Sequence, residues 1–185
     1  MEQQVIIAGF GGQGVMLIGK VLAHAGMHEG KEVSWLPSYG PEMRGGTSNC
    51  TVVVSDKPVG CPLVYRPLAV IAMNQPSLEK FEPAVKKGGT LFVNTSLVRV
   101  PVTRRDITVV RVPANDTAAA AGNPRAANMV ALGAYLGVTH VASIETVEEI
   151  LRDVLAGRPS TIDSNLDALR RGFEIGRAAL VSEAA

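Results

Sequence analysis

Aromatic side chains make up only 4% of this 185-residue chain, while hydrophobic residues of all kinds make up 46%. The core must therefore be built from Val, Leu, Ile and Ala, the composition of buried sheets covered by helices. Cysteine is nearly absent. Cys50 and Cys61 form no CxxC pair and cannot by themselves supply a four-cysteine cluster or a zinc site. Charge of either sign is not in excess, with 18 Lys and Arg against 17 Asp and Glu. With no single-sign block along the chain, there is no footprint for nucleic acid. No apolar run approaches the roughly 18 residues of a membrane span, and Met1-Glu2-Gln3-Gln4 lacks the basic start of a signal peptide. Without export signals a Cys50–Cys61 disulfide is not expected, and the composition reads as a reduced, cytoplasmic protein. A chain of this length is expected to form one domain over residues 1–185.

What is present begins with Val5-Ile6-Ile7-Ala8, a short β-branched run that reads as a core strand. Four glycines follow within the turn Gly9 to Gly14, and helical apolar spacing resumes at Val15, Ile18, Val21, Leu22 and Ala25. Lys31 to Leu36 reads as a second strand and Thr47 to Ser55 as a third. No helix fits between these two, so they should pair antiparallel and make the sheet mixed. Leu68–Met73, Thr90–Val93 and Ile107–Val112 are further strands, with a short helix from Ser77. From Ala114 the chain turns helical, with a break at Gly122-Asn123-Pro124. Met129, Leu132, Gly133 and Leu136 predict one apolar stripe on the helix after that break. Two more helices are predicted, entering at Ser143 and near Asp163-Ser164. The expectation is a three-layer α/β/α fold with a mixed, mostly parallel sheet, a Rossmann-like first β-α unit and a helical C-terminal third.

Gly9-x-Gly11-x-x-Gly14 satisfies the dinucleotide fingerprint, in which backbone N–H groups at a helix N-terminus face an anion. A dinucleotide site also needs an acid at the end of the second strand. Here that strand ends Ser34-Trp35-Leu36-Pro37, and its acid, Glu32, stands at the start. The turn admits a plain strand-to-helix crossover as well as a ligand. The segment Tyr39-Gly40-Pro41-Glu42-Met43-Arg44-Gly45-Gly46 reads as a projecting loop, with Pro41 restricting φ and the glycines permitting positive φ. Its plainer reading is a solvated hairpin tip, with Glu42 and Arg44 paired to each other. His24 and His28 have helical metal-pair spacing, but no HExxH and no third ligand accompany them, so no metal site is expected. Cys50 reads as a small buried hydrophobe.

Four ordered motifs together resemble one family. They are Gly9 to Gly14, Leu36 to Thr47, Ala72-Met73-Asn74-Gln75-Pro76-Ser77, and Gly122-Asn123-Pro124-Arg125-Ala126-Ala127-Asn128-Met129 onward. The chain resembles the gamma subunit of the 2-oxoacid:ferredoxin oxidoreductases, most of all the 2-oxoglutarate branch, over nearly its whole length. That resemblance implies a subunit of a complex that oxidatively decarboxylates a 2-oxoacid, with coenzyme A as acyl acceptor and ferredoxin as electron acceptor. It implies thiamine diphosphate with Mg²⁺ and iron–sulfur clusters in the alpha and beta subunits and a ferredoxin-like delta subunit, none of them bound by this chain alone. The lack of cluster cysteines and of a Gly-Asp-Gly motif agrees with that division. On this reading the turn Gly9, Gly11, Gly12, Gln13, Gly14 lies near a cofactor. Tyr39, Gly40, Glu42, Arg44, Gly45 and Gly46 form an active-centre or interface loop, with Asn128 as support. Partners would be the other subunits and ferredoxin, not nucleic acid or membrane, and an isolated copy could self-associate over the surface meant for them. The alternative is an independent Rossmann-like nucleotide- or phosphate-binding protein.

Overall fold

The computed structural model describes residues 1–39 and 47–183. Six strands form one sheet: β1 (Glu2–Phe10), β2 (Glu32–Tyr39), β3 (Thr47–Ser55), β4 (Ala69–Ala72), β5 (Thr90–Asn94) and β6 (Thr108–Val112). Their order across the sheet is β2-β3-β1-β4-β5-β6. The pairs β1–β4, β4–β5 and β5–β6 are parallel, whereas β3 runs antiparallel to both β1 and β2. The sheet is mixed and mostly parallel, as the helix-free link before β3 predicts. β1 sits in the middle, with Ile7 opposite Cys50 on one side and Ile71 on the other. Because both faces of β1 are covered, Val5 to Ala8 is apolar at successive positions rather than alternating.

One face carries nearly all the helices. α1 (Val15–His28) lays Ile18, Val21 and Leu22 against β1 and β3, each with no exposed surface. α3 (Ala114–Ala120), α4 (Ala127–Thr139), α5 (Ile144–Val154) and α6 (Ile162–Glu183) complete this layer. α5 starts at Ser143, whose hydroxyl accepts from the Thr146 N–H at 3.1 Å, an N-cap that the sequence signals. The other face is covered thinly, by α2 (Gln75–Phe81), a 3-10 turn at Glu82–Ala84 and the segment between β5 and β6. α2 is shorter than the run to Gly88-Gly89 suggests, since Pro83 has no N–H to continue it.

The expected stripe of Met129, Leu132, Gly133 and Leu136 on α4 is buried, and burial extends around the helix. Every residue from Ala127 to Gly137 is buried, because the helix runs between the sheet and α6 with α3 and α1 alongside. Close contact with α6 is made by glycine. A Cβ added at Gly133 would lie 2.0 Å from the Leu169 carbonyl oxygen, and one at Gly172 would lie 2.0 Å from that of Val130. Gly137 and Gly176 repeat the contact one turn on, each 2.3 Å from an opposing carbonyl oxygen. Residues four apart share a helix face, so the pairs Gly133/Gly137 and Gly172/Gly176 bring two backbones together along one seam.

Candidate functional site

The carboxyl ends of β1, β4 and β5 are tied together by side-chain amides. Gln13 folds back under its own turn, and its Oε1 accepts from the Phe10 N–H and from Asn74 Nδ2, both at 2.7 Å. Its Nε2 donates to the Met73 carbonyl at 3.3 Å. That carbonyl also accepts from Asn94 Nδ2 at 3.1 Å, and the same nitrogen donates to Asn115 Oδ1 at 2.8 Å. Asn94 Oδ1 accepts from the Ala114 N–H at the head of α3, and Asn74 Oδ1 caps α2 through the Ser77 N–H. A continuous amide chain thus runs from Gln13 to Asn115. Asn74 and Asn94 are buried, and a buried amide left unpaired would cost about 1–3 kcal/mol, so the network holds these ends in one geometry.

The glycines shape the turn itself. Gly12 and Gly14 adopt left-handed φ values of 98° and 73°, which only glycine takes without strain. Gly14 is also the N-cap of α1 and faces Asn128, whose Nδ2 donates to the Gly14 carbonyl at 3.4 Å. A Cβ at Gly9 would meet the Gln13 Oε1 at 2.7 Å and Val15 Cγ2 at 2.8 Å, so the strand passes directly beneath the turn. No side chain caps α1 and no acid sits in its first turn. Among the described residues nothing caps its leading N–H groups, the groups that an anion would meet at a helix N-terminus.

A cleft of about 300 Å³ opens here, lined by Gly12, Gln13, Met73, Asn115, Arg125 and Ala127 among others. Arg125 also lines an adjoining cleft of about 420 Å³ that holds Asn123, Asn128 and Arg158. Among the described residues no carboxylate lines either one. The described residues offer hydrogen-bond donors and a positive charge.

Of the residues singled out from the sequence, the structure gathers Gly9, Gly11, Gly12, Gln13 and Gly14 in the turn and brings Asn128 onto it from α4. Tyr39 ends β2 opposite Ser48. Gly40, Glu42, Arg44, Gly45 and Gly46 lie outside the described residues. Cys50 is fully buried, and burial pushes its thiol pKa up to about 11, far from a redox thiolate. His24 and His28 are exposed on α1. Sequence reasoning passed over Asn94, Asn115 and Arg125 as site residues. The available signal was an asparagine at or just beyond the end of each successive apolar run: Asn74, Asn94 and Asn115. The sheet also explains why the dinucleotide pattern is incomplete. A dinucleotide fold places its second parallel strand beside the first, but here the antiparallel β3 occupies that position and moves β2 one strand further out.

Parallel strands with a polar cleft at their carboxyl ends make this an open-sheet α/β protein, the architecture whose ligands, where it has them, bind at the strand ends. Residues 4–175 match the family described as pyruvate ferredoxin/flavodoxin oxidoreductase, and the chain belongs to that family. It is 41% identical over 184 residues to the ketoisovalerate oxidoreductase subunit VorA of Methanothermobacter marburgensis, covering 98% of this chain but 38% of that relative. The 2-oxoglutarate synthase subunit KorC of Methanocaldococcus jannaschii is 33% identical over 180 residues, covering 96% of this chain and 95% of that one. Among solved structures, a keto/oxoacid ferredoxin oxidoreductase gamma subunit from Geobacter sulfurreducens matches with a TM-score of 0.80 and 33% identity, over 95% of this chain and 99% of that one.

Proposed function

We propose that residues 1–185 act as one gamma domain in a 2-oxoacid:ferredoxin oxidoreductase complex, with 2-oxoglutarate as the substrate of the whole. The complex would convert the 2-oxoacid and coenzyme A to acyl-CoA and carbon dioxide while reducing ferredoxin. The observation that carries this chain's share is the cleft between the glycine turn and Arg125, which no carboxylate of a described residue lines. Its chemistry fits a phosphate-bearing acceptor. The first turn of α1 has no acid and no side-chain cap from a described residue, and Arg125 forms no ion pair with a described residue. When bound, coenzyme A supplies the thiol that accepts the acyl group. This chain's part is to hold the acceptor's anionic portion by backbone N–H groups and Arg125, and to keep those donors aimed through the Gln13–Asn115 amide chain. Thiamine diphosphate, Mg²⁺ and the iron–sulfur clusters are assigned to the alpha, beta and ferredoxin-like subunits. Arg44 is proposed to reach a carboxylate or phosphate at the same centre, with Glu42 orienting it.

The VorA likeness supports a second substrate reading, a branched-chain 2-oxoacid. One purification separates the possibilities. A tag on this chain should bring down the other subunits, and the complex should reduce ferredoxin with 2-oxoglutarate faster than with ketoisovalerate or pyruvate. In that complex Arg125→Ala should raise the KM for coenzyme A about tenfold, the loss expected of one charge-assisted contact, and leave the KM for the 2-oxoacid unchanged. Arg44→Ala should cripple turnover without unfolding the subunit. A chain that purifies alone and binds NAD or FAD tightly would establish the independent nucleotide-binding reading instead.

A further inference from the structure

The near-neutral total charge conceals a local excess. From Lys86 to Arg111 the chain carries six basic residues and one acid, Asp106, against a net charge of +1 for the whole protein. Arg104 is consumed locally, paired through two nitrogens with Asp106 and donating to the carbonyls of Glu82 and Val85. Arg99 and Arg111 form no ion pair with a described residue. Both line a cleft of about 270 Å³ whose walls include Val98, Val100, Pro101 and Val109. The cleft is preformed, because buried Glu82 pins its covering segment. The Glu82 Oε1 accepts from the Thr103 N–H and hydroxyl, both at 2.7 Å, and from the Arg104 N–H at 2.9 Å.

The last strand of the sheet runs beside this cleft. The Thr108 N–H donates to the Gly89 carbonyl, and the Val112 carbonyl accepts from the Thr95 N–H. Residues 108, 110 and 112 therefore turn their backbone groups toward β5, and those of Val109 and Arg111 point away from the sheet. The opposite edge, β2, is interrupted by Pro37, which has no N–H to offer, but β6 contains no proline. We propose that β6 accepts an extended acidic segment of another polypeptide as an added strand. Its backbone pairs with Val109 and Arg111, a carboxylate sits between Arg99 and Arg111, and an alternate apolar side chain enters the valine-walled cleft. Charge decides the occupant: the β6 of a second copy would oppose Arg111 with the same basic edge. The inference is independent of the coenzyme A reading, since this cleft lies on the opposite face of the sheet from α1 and α4.

The test titrates the full ¹⁵N-labelled chain with a blocked short peptide of alternating Val and Glu, and with its Lys-for-Glu counterpart. The Glu peptide should shift the Val109 and Arg111 amides and protect them from hydrogen exchange, and the Lys peptide should do neither. Arg99→Glu with Arg111→Glu should weaken the Glu peptide by about tenfold or more and gain binding of the Lys peptide. Arg99→Glu alone, in a coil segment, gives the same directional readout if the double variant does not fold. Equal response to both peptides, shifts centred elsewhere, no binding at about 1 mM, or capture of a single-stranded oligonucleotide in place of the Glu peptide would each overturn the proposal.

Discussion

The glycines of the turn at 9–14 and those where α4 crosses α6 are the same residue under two different demands. In the turn, glycine supplies backbone conformations: Gly12 and Gly14 sit at positive φ, and no described residue lies within 4 Å of a Cβ placed on Gly12. At the crossing glycine supplies space. Gly133, Gly137, Gly172 and Gly176 are ordinary helical residues whose missing side chains let one backbone lie against the other. A glycine needed for its φ shapes a surface that a ligand or partner meets. A glycine needed for its volume sets the distance between two buried helices, and that distance holds the C-terminal third against the sheet.

The largest effect is expected at the crossing. In Gly172→Ala the new methyl meets the Val130 carbonyl at 2.0 Å, and backbone cannot rotate aside. The helices must separate, with a loss of about 3 kcal/mol, at the upper end for overpacking, read as a lower denaturant midpoint. Gly14→Ala comes next. It combines a left-handed φ, costing about 1–2 kcal/mol, with a contact of 2.3 Å to Asn128 Nδ2, a side-chain end that can turn away. Adding Asn128→Ala should recover part of the loss, a non-additivity that a double-mutant cycle measures. No rescue at all would mean that strain, rather than crowding, dominates at Gly14. The smallest stability effect belongs to Gly12→Ala. No described residue crowds it, and the cost expected is that of its φ of 98°, about 1 kcal/mol. Its methyl faces the cleft, so coenzyme A KM should rise more than stability falls. If Gly12→Ala instead destabilises as much as Gly172→Ala, the division between the two glycine sets fails.

Much of this was legible in the chain. The strand positions, the helix-free β2–β3 link and the cap at Ser143 are local matters, decided by β-branching, turn residues and side-chain acceptors a few positions away. The α4 stripe was legible, but not the burial all around it, because periodicity reports which residues are apolar, not how many neighbours surround them. The site was half visible. The glycine turn announced itself by spacing, but Asn94 and Asn115 lie 81 and 102 positions beyond Gln13 and join it only through the parallel ladder. The even total charge likewise hid the basic segment from 86 to 111.

By itself the sequence determined an α/β chain with a mixed sheet and a glycine turn entering α1, together with family motifs in order. Those properties follow from short-range chemistry: which φ a residue tolerates, which face a run of side chains presents and which oxygen caps a helix. The tertiary structure alone decided that β3 stands where a dinucleotide fold needs a parallel strand, that four amides close the strand ends over one cleft, and that two pairs of helical glycines meet. It also decided that Arg99 and Arg111 flank an open sheet edge. Each depends on the order of strands in the sheet, set by packing both faces of β1 at once, which no local stretch of chain encodes.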